Sequence, residues 1–346
     1  MSTTLTTPRI SASAPASAIE SQPAARHRLR RALSFEVIPP RSEKQATRLP
    51  ELLAFLDSLS PDYLAVTSSA NSGWLQGTAD FIADITATTS LRPLAHLACT
   101  AGTEAELLPW IDHLLGVGVR GFLAIRGDLP AGESHLPPGH LAHADALVQL
   151  LRTVETDNVA RLAAGRLGIG VAAYPSGHPE STGPEEDLDV LAAKQRNGAD
   201  FAITQLFFDP NAYARLRRRA EHAGITIPMI PGILPITDLK RLHTMGRLSG
   251  LPVPDRLIAR FDHVGDAAAA RRIGLAITAE HTAAILDQGA DGLHFYTFND
   301  LTTTEELLTA LDGKGVSVSS FPPPPPPRRW PPTTDSETTT QKEAHS

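Results

Sequence analysis

The sequence predicts an α/β fold, a (β/α)8 TIM barrel over residues 31–315 with disordered tails at 1–30 and 316–346. Short apolar runs recur eight times, helix-period stretches separate them, and most runs end in a polar residue where the chain leaves the strand. Eightfold strand–helix alternation builds a closed parallel sheet, and such a barrel carries its chemistry at the C-terminal rim of the strands. In order, Leu33–Ile38 contains Glu36, Thr67 follows Tyr63–Val66, and His96 lies within Leu94–Cys99. Asp128 follows Gly121–Ile125, Tyr174 follows Leu167–Ala173, and Gln205 closes Phe201–Gln205. Gly232 ends Ile227–Gly232, and Tyr296 ends Gly292–Tyr296. The helical stretches are Leu49–Ser58, Ala79–Thr88, Glu104–Leu115, Asp187–Asn197 and Asn211–Ala223. A longer one, Asp266–Gln288, suits either covering the barrel side or a subunit contact in a homo-oligomer.

A chain of 346 residues holds one large barrel or two ordinary domains, and the alternation selects the barrel. The 42% hydrophobic content fills its core and the sheet–helix layer around it. A net charge of -7 and a pI near 6.0 argue against a nucleic-acid partner, which needs a basic surface. The single cysteine, Cys99, has no intramolecular partner and lies in an expected strand, so it reads as a buried small hydrophobe in a reducing, cytoplasmic setting. No window approaches the roughly 18 apolar residues that span a bilayer, so no membrane partner is expected. Residues 1–30 are rich in Ser, Thr, Ala and Pro and lead into the basic run Arg26-His27-Arg28-Leu29-Arg30-Arg31. They read as a disordered tail, with a transit peptide as the alternative. The prolines Pro322 to Pro327 make a stiff, solvated tail whose extended helix also suits an SH3-like groove.

Side chains alternate along a strand, so Leu33, Phe35 and Val37 share one face while Ser34, Glu36 and Ile38 share the other. The apolar set is expected to pack on the outer helices, which turns Glu36 into the barrel mouth. Desolvation there is expected to raise its pKa toward neutrality and make it a proton donor; the alternative is a Glu paired with a neighbouring base to close the rim. Asp128, in Arg126-Gly127-Asp128-Leu129-Pro130, leaves the fourth strand beside a glycine that lets the backbone approach a ligand. An ordinary Asp in a strand-to-loop turn is the alternative there. Two carboxylates in one mouth take different roles when their surroundings separate their pKa values. The Gly168-Ile169-Gly170 string is not a dinucleotide fingerprint, because it lies inside a strand instead of opening a helix. His135, His140 and His143 fall in a Gly/Pro-rich loop without metal-ligand spacing, so no metal is expected.

Seven stretches, in order along the expected strands, resemble the methylenetetrahydrofolate reductase family. They are Ser34-Phe35-Glu36-Val37-Ile38-Pro39-Pro40-Arg41, Val66-Thr67 with Ala70-Asn71-Ser72-Gly73, and Ala124-Ile125-Arg126-Gly127-Asp128-Leu129-Pro130. Then follow Val171-Ala172-Ala173-Tyr174-Pro175 with His178-Pro179-Glu180, and Ala202-Ile203-Thr204-Gln205 with Phe207-Phe208-Asp209. Ile230-Pro231-Gly232-Ile233-Leu234-Pro235 and His294-Phe295-Tyr296-Thr297 close the series. The likeness covers roughly residues 33–312 and neither tail. It implies FAD at the rim, reduced by NAD(P)H, and hydride transfer to 5,10-methylenetetrahydrofolate to give 5-methyltetrahydrofolate for methionine biosynthesis. It also implies Glu36 as the acid that protonates the departing folate nitrogen, and Asp128 as the carboxylate that steadies the resulting cation. Thr67, Ser68, Ala70, His96, Arg126, Gly127, Asp128, Ala144, Tyr174, His178, Ser181, Asp187 and Lys194 match cofactor-binding positions. Gln205, Arg241 and Tyr296 match substrate-binding positions, with Gln205 facing nicotinamide and folate in turn.

The departures fall around the cofactor and the folate tail. Where the resemblance implies a polar residue and a basic pair on the adenosine and diphosphate, this chain has Val190, Ala193 and Lys194, with Arg196 nearby. Losing one charged partner costs about 1.5–3 kcal/mol of cofactor affinity. Arg241 stands where the family often has Gln, Asp300 where it usually has Arg, and Met245 in place of an aromatic that lines the folate pocket. Three readings stay open: a flavin-dependent reductase, a reductase that binds FAD weakly or not at all and passes hydride directly from NADH, and a non-catalytic folate-binding barrel. The length leaves no room for a large C-terminal regulatory domain, so feedback control by a methyl-donor metabolite is not expected.

Overall fold

The computed structural model describes residues 31–68, 74–129, 132–133, 135–162 and 165–321. Residues 1–30 and 322–346 of the expected tails, together with Ala70 to Gly73 and Pro130, lie outside the described residues, whereas 316–321 are described, with Val318 buried and Val316 and Phe321 packed against the core. The strands are β1 (Ala32–Val37), β2 (Tyr63–Val66), β3 (Pro93–Ala98), β4 (Gly121–Ile125), β5 (Gly168–Ala173), β6 (Phe201–Thr204), β7 (Met229–Ile230), β8 (Gly232–Ile233) and β9 (Gly292–Tyr296). All pair in parallel in the order β7-β6-β5-β4-β3-β2-β1-β9-β8. The chain is a (β/α)8 barrel.

The seventh stave is not the continuous strand expected from Ile227–Gly232. It breaks at Pro231, which has no N–H to give the ladder. Met229 and Ile230 pair with β6, Gly232 and Ile233 pair with β9, and the Pro231 carbonyl accepts from the His294 N–H at 3.0 Å. The two halves together close the barrel.

The helices are α1 (Glu43–Ser58), α2 (Trp74–Thr88), α3 (Glu104–Gly116), α4 (Ala144–Asp157), α5 (Pro184–Arg196), α6 (Pro210–His222), α7 (Leu239–Ser249), α8 (Asp255–Ile258), α9 (Ala267–Asp287) and α10 (Leu301–Asp312). α1 starts six residues before Leu49, because the Ser42 side chain caps it by accepting from the Gln45 N–H. Its first turns are exposed, so they carry no apolar period to read. α9 matches the long stretch expected at 266–288 and begins at an Asp266 cap. The Gly168 string lies in β5, and α5 does not begin until Pro184.

Leu33, Phe35 and Val37 are buried against the helical shell, as their alternation predicts, and Phe35 stacks on Phe295 at 5.5 Å. Inside the barrel, Ala65, Leu94, Leu123 and Ile203 pack with Tyr63, Ile125 and Phe201 to make a floor beneath the C-terminal mouth. Gly232 belongs to the wall above this floor. A Cβ there would lie 2.6 Å from the Thr204 carbonyl oxygen and 2.8 Å from the Tyr296 ring. Gly232→Ala is therefore expected to cost about 1–3 kcal/mol, measured by denaturant unfolding. An unchanged midpoint contradicts the close approach of β6, β8 and β9.

Candidate active site

The strand ends surround a cavity of about 610 Å³ at the C-terminal mouth, within the size range of cofactor sites. Of the residues expected at the site, Glu36, His96, Arg126, Gly127, Asp128, Ala144, Tyr174, His178, Ser181, Asp187, Lys194, Gln205 and Tyr296 line it. Thr67 and Ser68 stand at the end of β2, outside that lining, and Ala70 is not described. Arg241 lies at the edge, its guanidinium 4.6 Å above the ring of Phe298, which does line the cavity.

Glu36 projects inward from β1 toward two imidazoles. His96 on β3 brings Nε2 within 3.3 Å of the carboxylate, and His294 on β9 within 3.7 Å. Burial pushes the Glu36 carboxyl up, but His294 and His96 together outweigh it and lower the pKa from 4.5 to about 2. The expected rise toward neutrality is thus overturned. A strand read alone shows the desolvation and not the bases that neighbouring strands aim at the same point. Nδ1 of His294 lies 2.9 Å from the Ser34 hydroxyl. When Ser34 donates there, the N–H of His294 falls on Nε2, toward Glu36.

The backbone of Glu36 is held as firmly as its side chain. Thr297 donates its hydroxyl to the Glu36 carbonyl at 2.7 Å, and the Thr297 N–H reaches the same oxygen. Asn299 brackets Ile38, accepting from its N–H at 3.0 Å and donating to its carbonyl at 2.7 Å. Phe298 and Asn299 both adopt left-handed conformations, with φ of 50° and 58°. That turn presents the Phe298 ring to the cavity. Asp300 continues it as the cap of α10, accepting from the Thr303 N–H at 3.0 Å and hydroxyl at 2.6 Å. A helix cap explains the acid at this position.

The opposite wall carries the groups suited to a phosphorylated cofactor. Lys194 reaches inward from α5 and donates to the Ala172 carbonyl at 3.0 Å. Burial lowers its pKa from 10.5 to about 8, against the pull of Asp145 and Asp187. Val190 and Ala193 supply no second cation from this helix, and Val190 is exposed at the cavity. Asp187 accepts from the His178 N–H, which fixes the loop that follows β5. Tyr174 packs edge-on to His178 at 4.7 Å, and burial raises its pKa. Arg126 forms a two-pronged pair with Glu180, while Asp128 stays exposed at the rim. Gly127 has φ of 84°, and a Cβ there would clash with the Thr100 hydroxyl.

Sequence reasoning missed Glu180, Phe298 and His294. His294 was legible in principle, because it lies two residues before Tyr296 on the same inward face. Glu180 sits in a loop, where no period marks its direction. Met245 does not line the main cavity; it is buried in a separate apolar cluster with Leu206, Phe208 and Leu242. Its slimmer side chain packs inward beneath α7.

Comparison with known proteins places this geometry in a family. The family model described as methylenetetrahydrofolate reductase matches residues 22–312, beginning before the first strand. The 5,10-methylenetetrahydrofolate reductase of Escherichia coli (strain K12) is 35% identical over 268 residues, 77% of this chain and 86% of that one. The enzyme of the same name from Pectobacterium carotovorum subsp. carotovorum is 34% identical over 268 residues, 77% of this chain and 85% of its own length. Among solved structures, an uncharacterized Clostridium thermocellum protein that binds two copies of 5-methyl-5,6,7,8-tetrahydrofolic acid superimposes with a TM-score of 0.55. At 14% identity, covering 83% of this chain and 96% of that one, it supports the fold. The chain belongs to the methylenetetrahydrofolate reductase family.

Proposed function

We propose that the mouth cavity holds FAD, that NAD(P)H and 5,10-methylenetetrahydrofolate occupy it in turn, and that Glu36, Asp128 and Gln205 conduct the reduction to 5-methyltetrahydrofolate. The convergence of these three residues with Lys194 and Tyr174 on one cavity carries the reading. The product would supply methyl groups for methionine biosynthesis.

The residues present fit the cofactor. Among the described residues, the buried Ser68 hydroxyl at the end of β2 has no hydrogen-bond partner, and neither Nε2 of His96 nor that of His294 has an aligned one. Lys194 and the N–H groups around Gly127 would hold the diphosphate, with Tyr174 and His178 against the rings. FAD, when bound, supplies hydride transfer between nicotinamide and folate carbon.

Opening the folate imidazolidine breaks a carbon–nitrogen bond, and its electron pair goes to the departing nitrogen, which needs a proton. Glu36 rests as a carboxylate, so it serves as a relay: a proton that reaches it through the neighbouring His96 and His294 is passed on to the nitrogen. The methylene carbon is left in a cationic iminium. Asp128, a second carboxylate at the same rim, stabilises that charge before hydride arrives. Gln205 follows the end of β6 and faces whichever of the two substrates is present. Its Oε1 accepts from the Leu206 N–H at 2.8 Å, which leaves the amide N–H donors for a ligand.

A second reading, direct hydride transfer with weak FAD binding, is favoured by one observation: α5 offers the diphosphate a single cation. Purified protein that shows a flavin absorption band supports the first reading, and colourless protein with full activity supports the second. Glu36→Gln is expected to slow folate reduction by about 10²–10⁴-fold while sparing NAD(P)H oxidation by an artificial acceptor. Unchanged folate reduction contradicts the relay. FAD affinity is expected to fall as pH rises through about 8, where Lys194 loses its proton. The depressed pKa means that binding above this value takes up a proton, costing affinity up to about tenfold per pH unit. Lys194→Met is expected to bind FAD about tenfold or more weakly and to lose that dependence, measured by flavin fluorescence titration. Retention of the pH dependence in the variant removes Lys194 from the diphosphate site.

A further inference from the structure

A second cavity, of about 310 Å³, opens on the barrel flank, where β8 faces α7, α8 and α9. Its walls are apolar: Phe208, Ile233, Met245 and Ile277 are buried side chains that line it. Two features set it apart from a packing fault. His281 on α9 is enclosed by protein, yet its imidazole keeps accessible surface and lines the cavity. Its ring packs against Phe207 at 5.1 Å, and among the described residues no hydrogen bond or ion pair reaches its nitrogens. Its ring nitrogens are therefore open to whatever enters the cavity.

The second feature is charge. Arg260 at the cavity is neutralised by Glu280 at 3.1 Å, and Glu280 also meets Lys314. Among the described residues Arg256 has no carboxylate partner; it makes a long hydrogen bond, 3.4 Å, to the Phe208 carbonyl. Most of its donor fork is therefore open at the cavity mouth, and an open guanidinium fork matches a carboxylate two-prong to two-prong. His281, whose pKa burial lowers to about 4, is neutral near pH 7 and can donate one further hydrogen bond. The volume, at the low end for ligand sites, suits a single ring or a short branched chain.

We propose that the flank cavity is a ligand site for a small monocarboxylate with an apolar body, its carboxylate on Arg256 and His281 and its hydrocarbon among Phe208, Ile233, Met245 and Ile277. Leu234 lines both this cavity and the barrel mouth, and β8 pairs with β9, which carries His294 and Tyr296. Occupancy is thereby felt at the mouth as a change in KM for folate, without competition for the folate site.

Isothermal titration of the full chain with 4-phenylbutyrate tests the proposal, with the uncharged 4-phenylbutyramide as control. The expected result is saturable one-to-one binding of the acid, with the amide about tenfold or more weaker. Arg256→Gln, a change at an exposed position, is expected to weaken the acid by a similar factor. Ile277→Phe, which fills the cavity, is expected to abolish binding. Both variants retain reductase activity without the probe, and the wild type shows a shifted KM for folate in its presence. Absence of binding at millimolar probe, equal binding of acid and amide, insensitivity to both substitutions, or displacement of the probe by folate each overturns it.

Discussion

A carboxylate between two imidazoles organises this barrel mouth. Glu36 enters from β1, His96 from β3 and His294 from β9, so three strands must hold register for the cluster to exist. The register is visible in the ladder: Ser34 lies opposite His294 and Glu36 opposite Tyr296. A one-residue slip of β1 against β9 would send Glu36 into the helical shell and Phe35 into the cavity. The apolar contacts of Leu33, Phe35 and Val37 therefore fix the position of the acid as well as the stability of the sheet. An ionised carboxylate inside a cavity is tolerated because two imidazoles face it as hydrogen-bond partners.

The turn after β9 adds a second restraint on the same atoms. Thr297 and Asn299 hold the carbonyl of Glu36 and both polar groups of Ile38, and Asp300 anchors the turn to α10. Two consecutive non-glycine residues in the left-handed region cost free energy, and this density of hydrogen bonds offsets it. The result is a rigid frame for Glu36 and an aromatic edge, Phe298, presented to the mouth and covered by Arg241. Asp300, which looks like a lost folate contact when set against the family, is accounted for by this frame.

The barrel was legible because its signals are periodic. Alternation turned Glu36 inward and Phe35 outward, and polar residues at strand ends marked the rim. Pro231 was visible too, but its effect, a stave split into two halves that each keep one neighbour, depends on which strand lies on either side. The sign of the Glu36 pKa shift escaped for the same reason: desolvation is a property of one residue's position, whereas His96 and His294 reach it only through the closed sheet. The surroundings of Met245 were not legible from the sequence. The position matches an aromatic that lines a folate pocket, yet in this chain the side chain turns into a separate core beside the flank cavity. Capping also hid the start of α1, since its first turns are polar and only Ser42 announces them.

Glu36 rests ionised in the barrel mouth, and the chemistry of the site depends on that state. Infrared difference spectra of the wild-type protein against Glu36→Gln, recorded from neutral pH down to about pH 4, read that side chain directly. The expected spectrum shows a carboxylate band and no protonated carboxyl band across the whole range. A protonated Glu36 carboxyl at neutral pH contradicts the two-imidazole cluster and returns the residue to the role of a standing acid.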